Sequence, residues 1–257
     1  MREFLDVAHA HRDDGYGRAQ AHVRRELPKR FYKEAAVQPA EGGFAVGLDG
    51  RVPRTPGMKP VIVPHEALAA AMAAEWAAQA EFIDPQTMPL VRIVNSAVEA
   101  GEDSVPERRA EIVKYAGNDL LLYRAEGPEG LVRRQEELWD AALVALARQF
   151  GVSFQPTIGI VHQPQPPATL ARLGAALEDE TLLPLTAMNA ITSITGSGLL
   201  ALAVRHRLLD PEGAWRAAHV DDDFNISMWG EVEEITERRA KRRREFDAAV
   251  RLLEMAG

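Results

Sequence analysis

The sequence predicts an α+β protein, with a small N-terminal antiparallel sheet and helices followed by a mainly helical C-terminal domain. Between residues 31 and 63, short runs rich in Phe, Tyr and Val are separated by Gly-Gly and Asp-Gly, a pattern typical of strands and tight turns. After residue 64, apolar residues recur mostly at helical spacing. A turn-rich stretch at residues 126–130 separates two helical regions, so we place a domain boundary there.

Composition and charge place the chain among ordinary globular proteins. Its 257 residues can bury a sizeable core, and 46% of them are hydrophobic. The net charge of −8 argues against binding nucleic acid or an anionic membrane, because both demand a basic surface. The sequence contains no cysteine, which excludes disulfides and fits a reducing compartment. The first residues lack an apolar signal core and carry acidic groups that transit peptides avoid, so we expect a cytoplasmic protein.

The N-terminal half is expected to divide into an arm and an α+β domain. Residues 1–29 are polar and predict a flexible arm, whose scattered histidines lack a supporting carboxylate pattern and so do not predict a metal site. Residues 30–128 would form the first domain. Within it, Asp49-Gly50 predicts a tight hairpin turn, and Pro53 and Pro56 predict that a third strand lies at an edge or breaks early.

The first long helix carries two polar residues on its apolar face. Leu68, Met72 and Trp76 form a helical stripe, and Glu75 and Gln79 lie within that stripe. A buried carboxylate is costly unless it is paired or hydrogen-bonded. Two interpretations follow: either these groups form an internal polar bridge, or this face meets a partner outside the chain.

Residues 129–257 predict a helical C-terminal domain. A long helix is expected from Leu131 to Phe150, and a proline-rich connector follows it. The run at 186–206 is the most apolar, but its Asn, Thr, Ser and Gly residues favour one buried central helix over insertion into a membrane. Asp210-Pro211 predicts the start of a further helix, and charges of both signs fill the last one.

Several sequence blocks together resemble a known family. One is E-W, two residues and Q, followed by I-D-P, M-P-L and N-S-A-V, within residues 75–98. Others are G-F-A-V-G-L-D-G-R with R-T-P at 43–56, Y-A-G-N-D-L-L-L-Y-R-A with P-E-G-L-V-R-R-Q-E-E-L-W-D at 115–140, and an acidic residue ahead of an aromatic and W-G at 221–230. The chain resembles a bacterial member of the ATP12-like chaperones, the mitochondrial ATP synthase assembly factor 2 family. It departs from that pattern at Ala141, where proline is expected, and at Asn225, where glutamine is expected.

The resemblance implies an ATP-independent assembly chaperone. Such a protein binds the unassembled alpha subunit of the F-type ATP synthase and shields its beta-facing surface, without a cofactor, a metal or catalysis. It would be a monomer when free, and its eukaryotic relatives would lie in the mitochondrial matrix. The residues implied in partner binding are those that match the family's motifs: Glu75, Trp76, Gln79, Asp84, Asn95, Asp119, Arg124, Gln135, Trp139, Asp140, Asp221, Phe224, Trp229 and Glu233.

Other functions are weighed against the chaperone. An enzyme could use Glu75, Asp119 or Asp221 as general acid or base in the cleft between the domains, and it would need those carboxylates to meet in one pocket. A nucleic-acid scaffold built on the arginines at 238–244 is contradicted by the net charge and by interleaved carboxylates. The aspartates at 221–223 could hold a divalent cation, but consecutive helical residues point in different directions.

Overall fold

A β-hairpin, eleven helices and a second short strand pair make up the computed structural model, which describes residues 27–231 and 233–256. The predicted flexible arm lies almost entirely outside these described residues. Pro28, near its end, accepts the N–H of Ile83, and the following Arg30 N donates to Glu81 O, both at 2.9 Å. The described chain therefore begins with a segment that is hydrogen-bonded to the fold.

The N-terminal sheet has two strands, β1 (Ala35–Ala40) and β2 (Gly43–Leu48), paired antiparallel. The predicted turn at Asp49-Gly50 follows β2, with φ angles of 48° and 80°. Leu48 and Arg51 close it through two backbone hydrogen bonds of 2.8 and 3.0 Å. Between residues 51 and 63 the chain makes only isolated bridges, so the predicted third strand does not form. Its prolines lack the N–H that a ladder requires.

Helices make up most of the remaining described chain, which confirms the predicted fold class. The long helix expected at 131–150 is interrupted by a π-helical turn, Glu136–Asp140, which joins the helix Glu129–Gln135 to the helix Ala141–Phe150. The strands β3 (Tyr123–Arg124) and β4 (Thr157–Ile158) pair in parallel. The helices are α1 (Glu66–Ala77), α2 (Pro89–Ala100), α3 (Val105–Gly117), α4 (Glu129–Gln135), α5 (Ala141–Phe150), α6 (Pro167–Ala175), α7 (Leu182–Thr195), α8 (Gly198–Arg205), α9 (Pro211–Ala218), α10 (Val220–Trp229) and α11 (Glu233–Ala256).

The prediction of one central helix at 186–206 is wrong, because the run forms both α7 and α8. Gly196, at φ 73°, ends α7 in the left-handed conformation. Ser197 then caps α8, its hydroxyl accepting the N–H of Leu200 at 2.9 Å. Gly198 allows α8 to approach α3, since a Cβ there would lie 2.3 Å from the carbonyl oxygen of Ile112. The break is therefore set by tertiary packing as well as by glycine.

One hydrophobic cluster runs through residues from both halves of the chain. It includes Leu68 and Ile112 from the first half and Trp139, Met188 and Phe246 from the second. Across the expected boundary, α7 packs against α2 and α3, and α11 packs against α1 and α2. The division at residue 128 stays a prediction. Within the described part of the chain, no helix is both long and apolar enough to cross a membrane.

Candidate functional site

The first group of predicted site residues joins α1 to α2, and Glu75 is at its centre. The Glu75 carboxylate accepts hydrogen bonds from the backbone N–H groups of Leu90 at 3.0 Å and Val91 at 2.8 Å, in the first turn of α2. Because those N–H groups have no partner inside the helix, the carboxylate caps α2 and complements its dipole. Burial raises the pKa of Glu75, and the two hydrogen bonds oppose that rise. The fold itself thus engages this carboxylate.

Gln79 closes the connection between the two helices. Its side-chain amide donates to Thr87 Oγ1 and to the carbonyl of Glu75, both at 3.0 Å. Its side-chain oxygen accepts the backbone N–H of Asp84 at 2.8 Å, and the Asp84 carboxylate accepts from Gln86 N at 2.9 Å. Gln79 is also buried. The internal polar bridge, one of the two interpretations left open by the sequence, is therefore the arrangement that the structure contains.

Trp76 and Asn95 belong to the same motif but face a cavity of about 400 Å³ beside α1 and α2. Trp76 is half-buried, and its ring packs edge-on against Tyr32 with centroids 5.7 Å apart. The Tyr32 hydroxyl donates to the Trp76 carbonyl at 2.6 Å, which fixes that turn of the helix. Among the described residues, the Asn95 amide has no hydrogen-bond partner. Trp76 and Asn95 are therefore the side chains of this motif that remain available to contact a ligand or partner.

The second group links β3, α4 and α10 through Gln135. The side-chain oxygen of this buried residue accepts the N–H of Ala125 at 2.8 Å, and its amide donates to Asp221 Oδ1 at 2.8 Å. Arg124 donates to the backbone carbonyl of Gln135 at 3.2 Å and forms an ion pair with Asp140. Four of the predicted residues therefore form one hydrogen-bonded set, which holds α10 against α4.

Trp139 packs beside the hydrogen-bonded set around Gln135. Its side chain is only 2% exposed, and its indole N–H donates to the carbonyl of Ala217 at 2.7 Å. The Arg124 guanidinium lies 5.3 Å from the centre of the indole ring. Because Gln135 and Trp139 are both buried, their side chains serve the fold in this structure, and their predicted contact with a partner stays a prediction.

The exposed members of the second group lie at the end of α10. Trp229 is 85% exposed, and Met228 beside it is also exposed. Ile235 is exposed in the first turn of α11, next to the exposed Glu233. We call Met228 and Trp229, the last two residues of α10, the α10 tip. Phe224, one turn before the tip, is held by Arg134, whose guanidinium lies 5.4 Å from the ring centre.

Asp119 lies apart from both groups and is completely buried. Its carboxylate accepts the N–H of Leu121 at 3.2 Å and the N–H of Leu199 at 3.0 Å, and so caps the start of α8. Burial raises the pKa of Asp119 to about 7, although these hydrogen bonds favour the ionised form. Asp119 therefore acts inside the core.

The three carboxylates of the enzyme hypothesis are engaged by different parts of the fold. Glu75 caps α2, Asp119 caps α8, and Asp221 accepts from Gln135. None of these hydrogen-bond sets links two of the three carboxylates. The neighbouring Asp223 pairs with Arg239, whereas Asp221 accepts from Gln135, so these two residues of the triple aspartate have different partners.

Sequence reasoning missed several residues that shape these two regions. Arg134 was not singled out, although it lies over Phe224. Met58 and Arg54 line the cavity beside Trp76. Met228 carried a usable signal, because methionine and tryptophan are both enriched at protein interfaces.

Comparisons with known proteins give consistent results. Residues 29–147 match the family model described as ATP12 chaperone protein. The mitochondrial protein atp12 of Schizosaccharomyces pombe is 24% identical over 221 residues, covering 81% of this chain and 76% of that protein. The crystal structure of Atp12 from Paracoccus denitrificans is 36% identical, with a TM-score of 0.82, covering 90% of this chain and 99% of that one. A chaperone candidate from Agrobacterium tumefaciens is 40% identical, with a TM-score of 0.86, covering 90% of this chain and 87% of that one.

Proposed function

This chain belongs to the ATP12 chaperone family, and from that premise we propose that it is an ATP-independent chaperone that binds the unassembled alpha subunit of the F-type ATP synthase. The coarser part, a chaperone in ATP synthase assembly, follows from the family. The proposal adds the client and the way in which it is held. The chaperone covers the alpha-subunit surface that will face the beta subunit. In a bacterium this binding would take place in the cytoplasm.

The observation that carries this proposal is the exposure of Trp229. A tryptophan buries a large apolar area when a partner covers it, and it is a preferred anchor of protein interfaces. Leaving such a side chain 85% exposed, beside the exposed Met228, forgoes that stabilisation in the free chain. A client with an apolar surface would recover it. A subunit surface that is destined for another subunit has that character.

The contacts at the start of α10 support the same interpretation. Asp221 is held by Gln135, and Asp223 pairs with Arg239 on α11, so the first turn of α10 is tied to two neighbouring helices. A surface that is already fixed pays less conformational entropy on binding than a mobile one. The tip is thus presented on a supported helix, which suits a chaperone that must recognise one subunit.

Release requires no chemical step in this proposal. If the incoming beta subunit binds the same alpha-subunit surface more tightly than the chaperone does, exchange follows from the difference in affinity. The chaperone would then be free, as a monomer, for the next alpha subunit.

Titration with purified, unassembled alpha subunit tests the proposed function. We expect the intact chain to bind it, beta subunit to displace it, and Trp229→Ala to weaken binding by at least about tenfold. Ile160→Ala is the matched control, because Ile160 is another highly exposed apolar residue and lies outside both motif groups. No binding by the intact chain, or equal losses in both variants, would contradict the proposal.

A further inference from the structure

The cavity beside Trp76 is a formed apolar site that the proposed contact at the α10 tip does not use. Its volume of about 400 Å³ falls in the lower part of the range for ligand pockets, roughly 300 to 1,000 Å³. Val46 and Val61 from the sheet region and Met72 from α1 line it, and Trp76 forms another part of its wall. Its lining can therefore accept one large aliphatic or aromatic side chain.

The loop at 53–60 holds one side of this cavity in a defined position. Thr55 N donates to the carbonyl of Lys59 at 2.9 Å, and Gly57 N donates to the Glu99 carboxylate. The Lys59 ammonium donates to the Glu99 carbonyl at 2.7 Å, so the loop is tied to α2. The loop presents Met58 at φ 68°, a backbone conformation that is unfavourable for residues other than glycine. Met58 is nevertheless 66% exposed, and methionine adapts readily to varied apolar ligands.

Two polar groups with spare hydrogen-bonding capacity also line the cavity. The Asn95 amide, which has no partner among the described residues, can both donate to and accept from a peptide group. The exposed Arg54 donates one hydrogen bond, from Nη1 to the carbonyl of Met58 at 2.8 Å, and its other donors can bind an anion. An apolar pocket flanked by an amide and a guanidinium matches a peptide better than it matches a lipid or a sugar.

We propose that this cavity binds a short extended segment of the client, with a large apolar side chain inside it, a neighbouring peptide group on Asn95 and an adjacent Asp or Glu on Arg54. This inference rests on the proposed function for the identity of the client. The positive charge of Arg54 selects an acidic neighbour over a basic one. A second copy of this chain is the weaker fit, because a stable dimer buries about 800 Å² on each partner and this site accepts one side chain.

Short peptides test the cavity on the full chain, without the client. The protein contains seven methionines, and methyl labelling allows the signals of Met58 and Met72 to be followed by NMR. The ligands are acetylated, amidated tetrapeptides with Phe-Asp, Asp-Phe, Phe-Lys or Ser-Asp at the centre. We expect an aromatic-acidic peptide to shift both signals saturably, at least about threefold more tightly than Phe-Lys, with no shift from Ser-Asp. No shift from any peptide, or the same response to all four, would overturn the proposal.

Binding of the intact alpha subunit provides the second test. Asn95→Trp fills the mouth of the cavity, and Ser96→Trp places the same side chain on an exposed neighbouring position of α2. We expect the first to weaken binding by at least about tenfold and the second to leave it unchanged. Arg54→Gln, with the exposed Arg51→Gln as its control, repeats the test without a bulky residue and is expected to lower affinity about threefold.

The two proposals fail in different ways. If the wild-type chain does not bind alpha subunit, the proposed function is wrong, and the peptide shifts still decide whether the cavity binds peptides. If wild type binds alpha subunit and Asn95→Trp binds it equally well, the client does not occupy the cavity. A dimer of the wild-type chain that Asn95→Trp abolishes, measured by sedimentation, would assign the cavity to a second copy instead.

Discussion

The α1–α2 connection and the α10 tip use residues of the same family pattern in opposite ways. At the connection, the polar groups of Glu75 and Gln79 form hydrogen bonds with backbone and side-chain partners inside the chain. At the tip, Trp229 has no comparable cover and lies largely in solvent. A shared motif therefore marks both residues that build a surface and residues that present it. Burial and hydrogen bonding separate the two kinds, whereas residue type does not.

The clearest way to break this comparison uses one tryptophan from each class. Trp139→Ala should lower the free energy of unfolding by about 3–5 kcal/mol, because it leaves a core cavity and an unpaired carbonyl at Ala217. Trp229→Ala should change it by less than about 0.5 kcal/mol, because the side chain is exposed. Urea denaturation measures both. Similar losses of stability in the two variants would remove the distinction.

The next prediction tests whether Glu75 holds the fold together rather than facing a partner. Glu75→Ala leaves the N–H groups of Leu90 and Val91 without their acceptor, so we expect a loss of about 1–3 kcal/mol in the free energy of unfolding. Glu81→Ala is the control, since Glu81 is exposed and its closest approach to Lys29 is 3.9 Å. An unchanged melting temperature in Glu75→Ala would return this residue to the partner-facing class.

Asp119 is a further motif residue that holds the fold, and its carboxyl group titrates near neutral pH. Burial raises its pKa from 3.8 to about 7 in the folded chain, so the folded state binds the proton more tightly than the unfolded state does. The stabilisation is fully present below pH 3.8 and is lost as the pH rises to about 7. The unfolding free energy of wild type, relative to Asp119→Asn, should therefore fall by on the order of 1–3 kcal/mol between roughly pH 5 and 8. A difference that does not vary with pH would contradict this assignment.

A smaller effect, on client binding, is expected for Asp221, which both supports the fold and is exposed to a partner. Its carboxylate supports Gln135, yet the residue is exposed on α10. Asp221→Lys should weaken capture of the alpha subunit by about tenfold while the chain stays folded, as checked by circular dichroism. Asp222→Lys makes the same charge change at the adjacent exposed position and should have less effect. Wild-type binding by Asp221→Lys would exclude Asp221 from the client-binding surface.

Local features of the fold could be predicted from the sequence because their causes are local. Asp49-Gly50 predicts a turn since both residues accept positive φ, and both have it. Asp210 predicts a helix start, and its carboxylate accepts the N–H of Gly213 at 2.6 Å. The polar pair on the apolar stripe of α1 was also visible, although the spacing left two interpretations open.

The remaining features depend on contacts between distant parts of the chain. The partners of Glu75 lie at Leu90 and Val91, beyond a proline and another turn, so spacing alone could not choose between a bridge and an interface. The break between α7 and α8 depends on how closely Gly198 approaches Ile112. Trp229 is the last residue of α10, and its exposure depends on how the next helix, α11, is placed against α10. No periodicity in the sequence encodes that placement.

The central claim, that exposed motif residues bind the client while buried ones hold the fold, can be tested in a single wild-type sample. Labelling with 5-fluorotryptophan gives a fluorine signal for each of the four tryptophans, assigned by single Trp→Phe variants. A dissolved paramagnetic agent should broaden the Trp229 signal in the free chain and leave the Trp139 signal sharp. After unassembled alpha subunit is added, Trp229 should become protected and Trp139 should remain unchanged. A complex in which Trp229 is still broadened by the agent would contradict the account.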